Sequence, residues 1–163
     1  MAEGNLNVRL SCPDGIVRQT LDTLRSSGNR HTECAVLWLA PRATWGDWLV
    51  SEAYTPRQDA GVDFFRIPAD AMRELMRHLR VNSLALVAQV HTHPRRAFHS
   101  RADSDSSVVR HRGALSIVIP NFAANVSANT FASYAAFFRL DEQDRWMEVS
   151  STELPRIFEI VER

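Results

Sequence analysis

The stretch Leu84 to Val90, LALVAQV, runs directly into His91-Thr92-His93-Pro94, and this junction constrains the fold more than any other part of the chain. A short, nearly continuous apolar run of this kind reads as a strand buried on both faces. Side chains two apart on a strand share a face, so His91 and His93 leave its end in one direction. Pro94 has no N–H to offer a neighbouring strand and ends the ladder there. The loop Arg95 to His99 then delivers Ser100-Arg101-Ala102-Asp103. A Ser followed three residues later by an acidic residue starts a helix, with hydroxyl and carboxylate each capping a free N–H. Two imidazoles at a strand end therefore face a carboxylate in the first turn of the next helix. Two His and one carboxylate make a common zinc-ligand set, with a fourth position left for water.

The remaining elements read in order along a single domain, residues 1–163. Leu6 to Leu10 alternates and predicts a half-buried strand. Pro13 suits the first turn of a helix that Gly28 ends, with Ile16, Val17, Leu21 and Leu24 on its inner face. Glu33 to Ala40 (ECAVLWLA) and Trp48 to Tyr54 (WLVSEAY) flank a turn-rich link and read as a hairpin. Thr55 to Val62 reads as an exposed loop. Ile67 and Pro68 introduce a second helix with Met72, Leu75, Met76 and Leu79 as its core stripe, and Asn82 ends it. Ser106 to Arg112 finishes a short third helix, and Leu115 to Ile119 is a buried strand stopped by Pro120. Asn121 to Thr130 is a small-residue loop; Phe131 to Leu140 and Arg145 to Val149 read as a last pair of strands. Leu154 to Val161 has both helical and strand character. The order βαββαβαβββ indicates an α/β domain with a mixed β-sheet flanked by helices.

Composition excludes some classes of function. Basic and acidic residues number 19 each, so no net charge draws the chain to nucleic acid or an anionic membrane. The opening MAEGNLNVRLS lacks a signal-peptide pattern, and no apolar run reaches membrane-spanning length. Cys12 and Cys34 form no CxxC pair, and a cytoplasmic location is the simplest expectation. All the basic residues are Arg and none is Lys. Codon usage in a GC-rich genome accounts for that; a surface that cannot be modified on side-chain amines is the functional alternative.

A metal site that activates water also needs a general base, and the helical HExxH motif is absent. Glu33 is the best candidate, because it opens an otherwise apolar strand where a carboxylate has little structural use. A buried Glu needs a partner, and a zinc-activated water would supply one. Each piece alone has a plainer role: a hydrogen-bonded His pair, a helix cap, a salt-bridged Glu. Together, in this order and on these elements, they are far more specific. Cys34, on the opposite face from Glu33, reads as a core thiol. His99, beside Ser100, reads as loop packing, with orienting the loop or substrate as the alternative, and His31, His78 and His111 read as surface residues. Arg95, Arg96, Arg101, Arg110 and Arg112 surround the site, either as solvated charges or toward an acidic partner.

A Glu on an early strand, His-x-His-Pro and Ser-x-x-Asp, in that order, resemble the JAB/JAMM (MPN-plus) metalloproteases over most of the chain. The resemblance implies an MPN/JAB-like domain holding one zinc ion (Zn2+) through His91, His93 and Asp103. It implies Glu33 as the base and Ser100 as a hydrogen-bond donor to the developing oxyanion. The family cleaves peptide or isopeptide bonds after the C-terminal glycine of ubiquitin or ubiquitin-like proteins. Bacterial members often accompany ubiquitin-like conjugation systems, so a ubiquitin-like substrate and its conjugation enzymes are the implied partners. Relatives without the ligands serve as scaffolds or binding subunits, and processing of a sulfur-carrier protein is a further alternative. His93 and Asp103 are one residue closer than in many members, which leaves Asp105 as an alternative ligand. The loops at Thr55 to Val62 and Asn121 to Thr130 are candidate substrate contacts.

Overall fold

The computed structural model describes residues 8–42, 47–105 and 107–163. The first half of the chain forms β1 (Leu10–Pro13), α1 (Asp14–Gly28), β2 (Ala35–Pro41), β3 (Trp48–Leu49), β4 (Glu52–Tyr54), β5 (Asp59–Ala60), β6 (Phe65–Arg66) and α2 (Ala69–Val81). The second forms β7 (Leu84–Thr92), α3 (Arg101–Asp105), β8 (Leu115–Ile119), α4 (Phe131–Tyr134), β9 (Ala136–Leu140), β10 (Trp146–Glu148), α5 (Leu154–Ile157) and β11 (Phe158–Val161). Six strands make a mixed sheet in the order β10-β9-β8-β7-β2-β4, in which β7 and β8 are parallel. A second sheet, β11-β1-β3, is parallel throughout. The result is a mixed α/β domain whose sheets are flanked by helices.

The apolar run of β2 is explained by burial on both faces. Val36, Trp38 and Ala40 join α1, β8 and the second sheet in the main core. Leu37 and Leu39 instead meet Leu75, Leu79 and Leu84 beneath α2. Trp38 is the centre of the main core. Its ring stacks on Phe131 and Phe158, and its Nε1 donates to Thr20 Oγ1 at 2.9 Å. Thr20→Val keeps the shape but strands a buried indole N–H, and should destabilise the fold by about 1–3 kcal/mol. Denaturant unfolding measures this; an unchanged midpoint would mean that the indole finds another acceptor.

Several elements depart from the sequence reading. The first strand begins at Leu10, and Pro13 is its last residue, with the helix starting at Asp14; Leu6 and Asn7 lie outside the described residues. Trp48 to Tyr54 is not one strand. The chain changes sheets at Val50 and Ser51, whose N–H groups donate to Ser11 in one sheet and Leu39 in the other. Thr55 to Val62 contributes β5 to a small hairpin with β6. The third helix stops at Asp105 and does not extend to Arg112, Ser106 itself lying outside the described residues. Phe131 to Tyr134 is a helical turn that places Phe131 against Trp38, and the strand starts only at Ala136. The tail is both helix and strand, α5 followed by β11. Met76 is 58% exposed. The buried stripe of α2 runs through Ala71, Leu75 and Leu79, rotated from the one marked by the larger side chains. His78 is half-buried, bonded to Glu52 and stacked on Tyr54.

Candidate metal centre

Strand β7 carries the site, and a bulge aims it. Its register against β2 shifts between Trp38 and Leu39, where Ala88 and Leu86 are the partners and Val87 is the extra residue. Before the shift, Leu84 and Leu86 face α2; after it, Ala88 and Val90 face the main core. Alternation then puts Gln89, His91 and His93 on the α2 side. Ala35 pairs with His91, and the Thr92 N–H donates to the Cys34 carbonyl, so the antiparallel register continues past the end of β2. One further step places Glu33 opposite His93, on the face that His91 and His93 share. Cys34 points the other way into the core, and burial raises its thiol to about 11.

After Pro94 the chain loops to α3. The Asp103 N–H donates to Ser100 Oγ at 3.0 Å, and the Ser100 N–H donates to Asp103 Oδ2 at 2.7 Å. This reciprocal cap fixes the carboxylate. Asp103 Oδ2 lies 3.1 Å from His93 Nε2, and Oδ1 lies 3.2 Å from His91 Nε2. One ligand atom from each of His91, His93 and Asp103 lies within 4.8 Å of the others, and all three residues are buried. The structure therefore brings Asp103, not the exposed Asp105, to the two imidazoles.

The charges of this cluster are tightly linked. Burial alone would raise the Asp103 carboxyl, but its contacts with His91, His93 and the Ser100 N–H hold it well below the usual range. His91 is lowered by complete burial, against the pull of Asp103. His93 is raised: burial opposes its charge, but Asp103, Glu33 and the Arg96 backbone outweigh it. Burial pushes Glu33 up to about 7, with His93 opposing and Asp103 adding to the rise.

The cluster fits a small divalent cation. Donors around a four-coordinate ion with bonds of about 2 Å lie roughly 3.3 Å apart, close to the two His–Asp separations. His91 supplies a second sign. Its Nε2 is near Asp103 but poorly directed, and both ring nitrogens are buried with no hydrogen-bond partner among the described residues. A metal ion bound at one of these nitrogens would give it the partner it lacks.

Four neighbours were not singled out as site residues by the sequence reading, or were given a different role there. Phe65 packs its ring 5.2 Å from that of His91, and Phe98 stands edge-on to His93 at 4.6 Å. Gln89, fully buried one step behind His91, accepts the Val108 N–H and ties down the segment after α3. His99 does pack as loop, between Phe138 and Trp146, and burial lowers its ring to about 4. Of Phe65, Phe98 and Gln89, only Gln89 carried a legible signal, as the one polar residue in an apolar run. The loop Thr55 to Val62 backs the site: Gln58 bonds both the N–H and the carbonyl of Ala35, and the Gly61 carbonyl accepts the Glu33 N–H. Arg110 donates to the Ser104 and Ser107 carbonyls and Arg112 pairs with Glu142, while Arg95, Arg96 and Arg101 are exposed.

A bulged strand that presents two imidazoles to a capped carboxylate, across from a buried Glu, gives this α/β domain three buried donors that could hold a metal ion. Residues 18–133 match the model of a family described as prokaryotic homologs of the JAB domain. A relative in Sinorhizobium fredii (strain NBRC 101917 / NGR234), the probable metalloprotease y4jG, is 36% identical over 142 residues, 84% of this chain and 85% of that protein. The chain belongs to the prokaryotic JAB-domain family. The fold is similar to the solution structure of protein DSY2949 from Desulfitobacterium hafniense, with TM-score 0.67, 15% identity and 94% of each chain covered. It is also similar to a protein from Salinibacter ruber (strain DSM 13855), with TM-score 0.57, 15% identity and coverage of 86% and 88%. No helix among the described residues is long and apolar enough to cross a membrane.

Proposed function

We propose that this chain is a zinc-dependent peptidase or isopeptidase that cleaves after the C-terminal glycine of a ubiquitin-like protein. The observation that carries the proposal is the buried His91–His93–Asp103 cluster with Glu33 opposite His93 on the same face. The relative named a probable metalloprotease supports the reaction class. The order of Glu33, His-x-His-Pro and Ser-x-x-Asp, shared with JAMM enzymes, supports the substrate class. Its partners on this reading are the ubiquitin-like protein and the enzymes that conjugate it.

His91, His93 and Asp103 would hold the zinc ion. Bound there, it supplies Lewis acidity that readies water for attack near neutral pH and polarises the scissile carbonyl. Glu33 takes the proton from the attacking water and returns it to the departing amine. Ser100 uses its oxygen to accept the Asp103 N–H, which leaves its hydroxyl proton to donate to the oxyanion. The same cap pins Asp103, which sets its carboxylate beside both imidazoles.

Protein reloaded with zinc should hold about one ion per chain, and His91→Ala should hold none. The loaded protein should release a cargo fused directly after the C-terminal glycine of a ubiquitin-like domain. A wild-type protein that takes up no zinc after reloading would overturn the metalloprotease reading and leave a scaffold that keeps the ligands without their use.

A further inference from the structure

The three residues after Pro120 adopt a backbone conformation that side chains normally avoid. Asn121, Phe122 and Ala123 have φ of 53°, 51° and 62°. Residues with a Cβ visit this left-handed region singly at most, and here three do so in succession. Such strain persists only where the surroundings impose it, and it collects at functional positions.

The hydrogen bonds show what the turn holds. The Phe122 N–H donates to the His93 carbonyl at 2.9 Å, and the Asn121 N–H donates to the Arg95 carbonyl at 2.8 Å. The His93 N–H donates to the Ile119 carbonyl at 3.0 Å. Both backbone groups of His93 are thus gripped by residues 119–122, where Pro94 and Pro120 interrupt ordinary pairing of β7 with β8.

The turn is seated in its place by the end of α1. A Cβ on Gly28 would stand 2.4 Å from Phe122 Cβ and 2.8 Å from the Phe122 carbonyl oxygen, so any side chain there forces Phe122 outward. On the same helical turn, Ser27 Oγ donates to the Glu33 carbonyl at 3.3 Å. One helix end therefore braces both halves of the site: Ser27 the segment bearing Glu33, and Gly28, through Phe122, the loop bearing His93.

We infer that the left-handed turn Asn121–Ala123, seated on Gly28, is a clamp that presets His93 for the metal and fixes its placement relative to Glu33. Gly28 and Phe122 are positioning residues that act through the backbone of His93. The inference rests on the metal-centre reading above. It is tested by zinc affinity, measured in competition with a chromophoric chelator, and by the absorption spectrum of the cobalt(II)-loaded protein. Gly28→Ala should weaken zinc binding about tenfold or more and alter the cobalt spectrum while circular dichroism stays that of the folded protein. Adding Phe122→Gly to that variant removes the clashing side chain at a position glycine adopts freely, and should recover part of the loss. Wild-type affinity and an unchanged spectrum in Gly28→Ala overturn the clamp. A wild-type protein that binds no zinc overturns the metal reading itself, so the two failures are distinct. If Gly28→Ala does not fold, amide hydrogen exchange of the wild type decides. The Asn121 and Phe122 N–H groups should be protected as well as those of Ile117 and Val118 in β8, and rapid exchange overturns the clamp.

Discussion

Glu33→Gln is expected to lower kcat/KM by about a thousandfold while zinc content stays unchanged, because the amide keeps the shape of the carboxylate but cannot take a proton. The same substitution should make the metal-free protein more stable at alkaline pH. Burial, with the Asp103 charge behind it, raises Glu33 to about 7 in the folded state, against roughly 4.3 for a free Glu. The folded state thus binds this proton more tightly than the unfolded chain does. Stability is greatest below the unfolded value and falls as pH rises toward about 7, by an amount of order 1–3 kcal/mol. Glutamine carries no charge and escapes that loss. Melting curves taken with a chelator should coincide near pH 4 and separate at pH 8, with the variant higher by several degrees, at about 2–4 °C per kcal/mol for a chain of this size. In the loaded enzyme the carboxylate is the active form, so kcat/KM should rise with pH along an acid limb that Glu33→Gln abolishes. Coincident melting at pH 8, together with full activity, would show that Glu33 is neither desolvated nor the base.

The legible parts of this site are those set by local rules. The pairing of His91 with His93 follows from strand alternation, and Ser100 with Asp103 from helix-cap spacing; both stand in the structure as read. Glu33 was legible as a misfit, a carboxylate opening an apolar strand, but its place opposite His93 depends on register, which pairing alone decides. The bulge at Val87 left no sequence mark. A single extra residue in LALVAQV is invisible when every neighbouring side chain is apolar, yet it chooses which face the histidines occupy. The other misses share one cause, long-range contact overriding local pattern. Phe131 belongs to a strand-like run but is drawn into a helical turn by stacking on Trp38. Met76 fits the helical period, but the sheet meets α2 along the stripe of Ala71, whose small side chain gave no signal. Trp48 and Glu52 sit in one strand-like run and end in different sheets. Asn121–Ala123 was legible only as a small-residue loop, because its left-handed backbone is imposed by Gly28 and the His93 loop.

Asp103→Asn is expected to weaken zinc binding by more than the ~10–100-fold typical of losing an outer-shell partner, since it removes a ligand and its charge together. Its effect on the metal-free protein runs opposite to that of Glu33→Gln. The Asp103 carboxyl is held below its ordinary value in the folded state, so it adds stability above the unfolded value and loses it as pH falls through the folded one. His93 is raised, so its contribution is complete below its unfolded value and is lost as pH rises through the folded one. The two therefore act together most strongly between about pH 4 and 6.5. Asp103→Asn should lower the melting temperature most in that window and progressively less above it. Equal melting of the two proteins near pH 5 would mean that the carboxylate–imidazole contacts do not form without metal. Without the ion, one positive imidazole at His93 serves two carboxylates, satisfying Asp103 and leaving Glu33 costly. A divalent cation among the same ligands supplies the missing positive charge, so zinc should raise the melting temperature of the wild type most at alkaline pH, where both carboxylates are ionised and His93 is neutral.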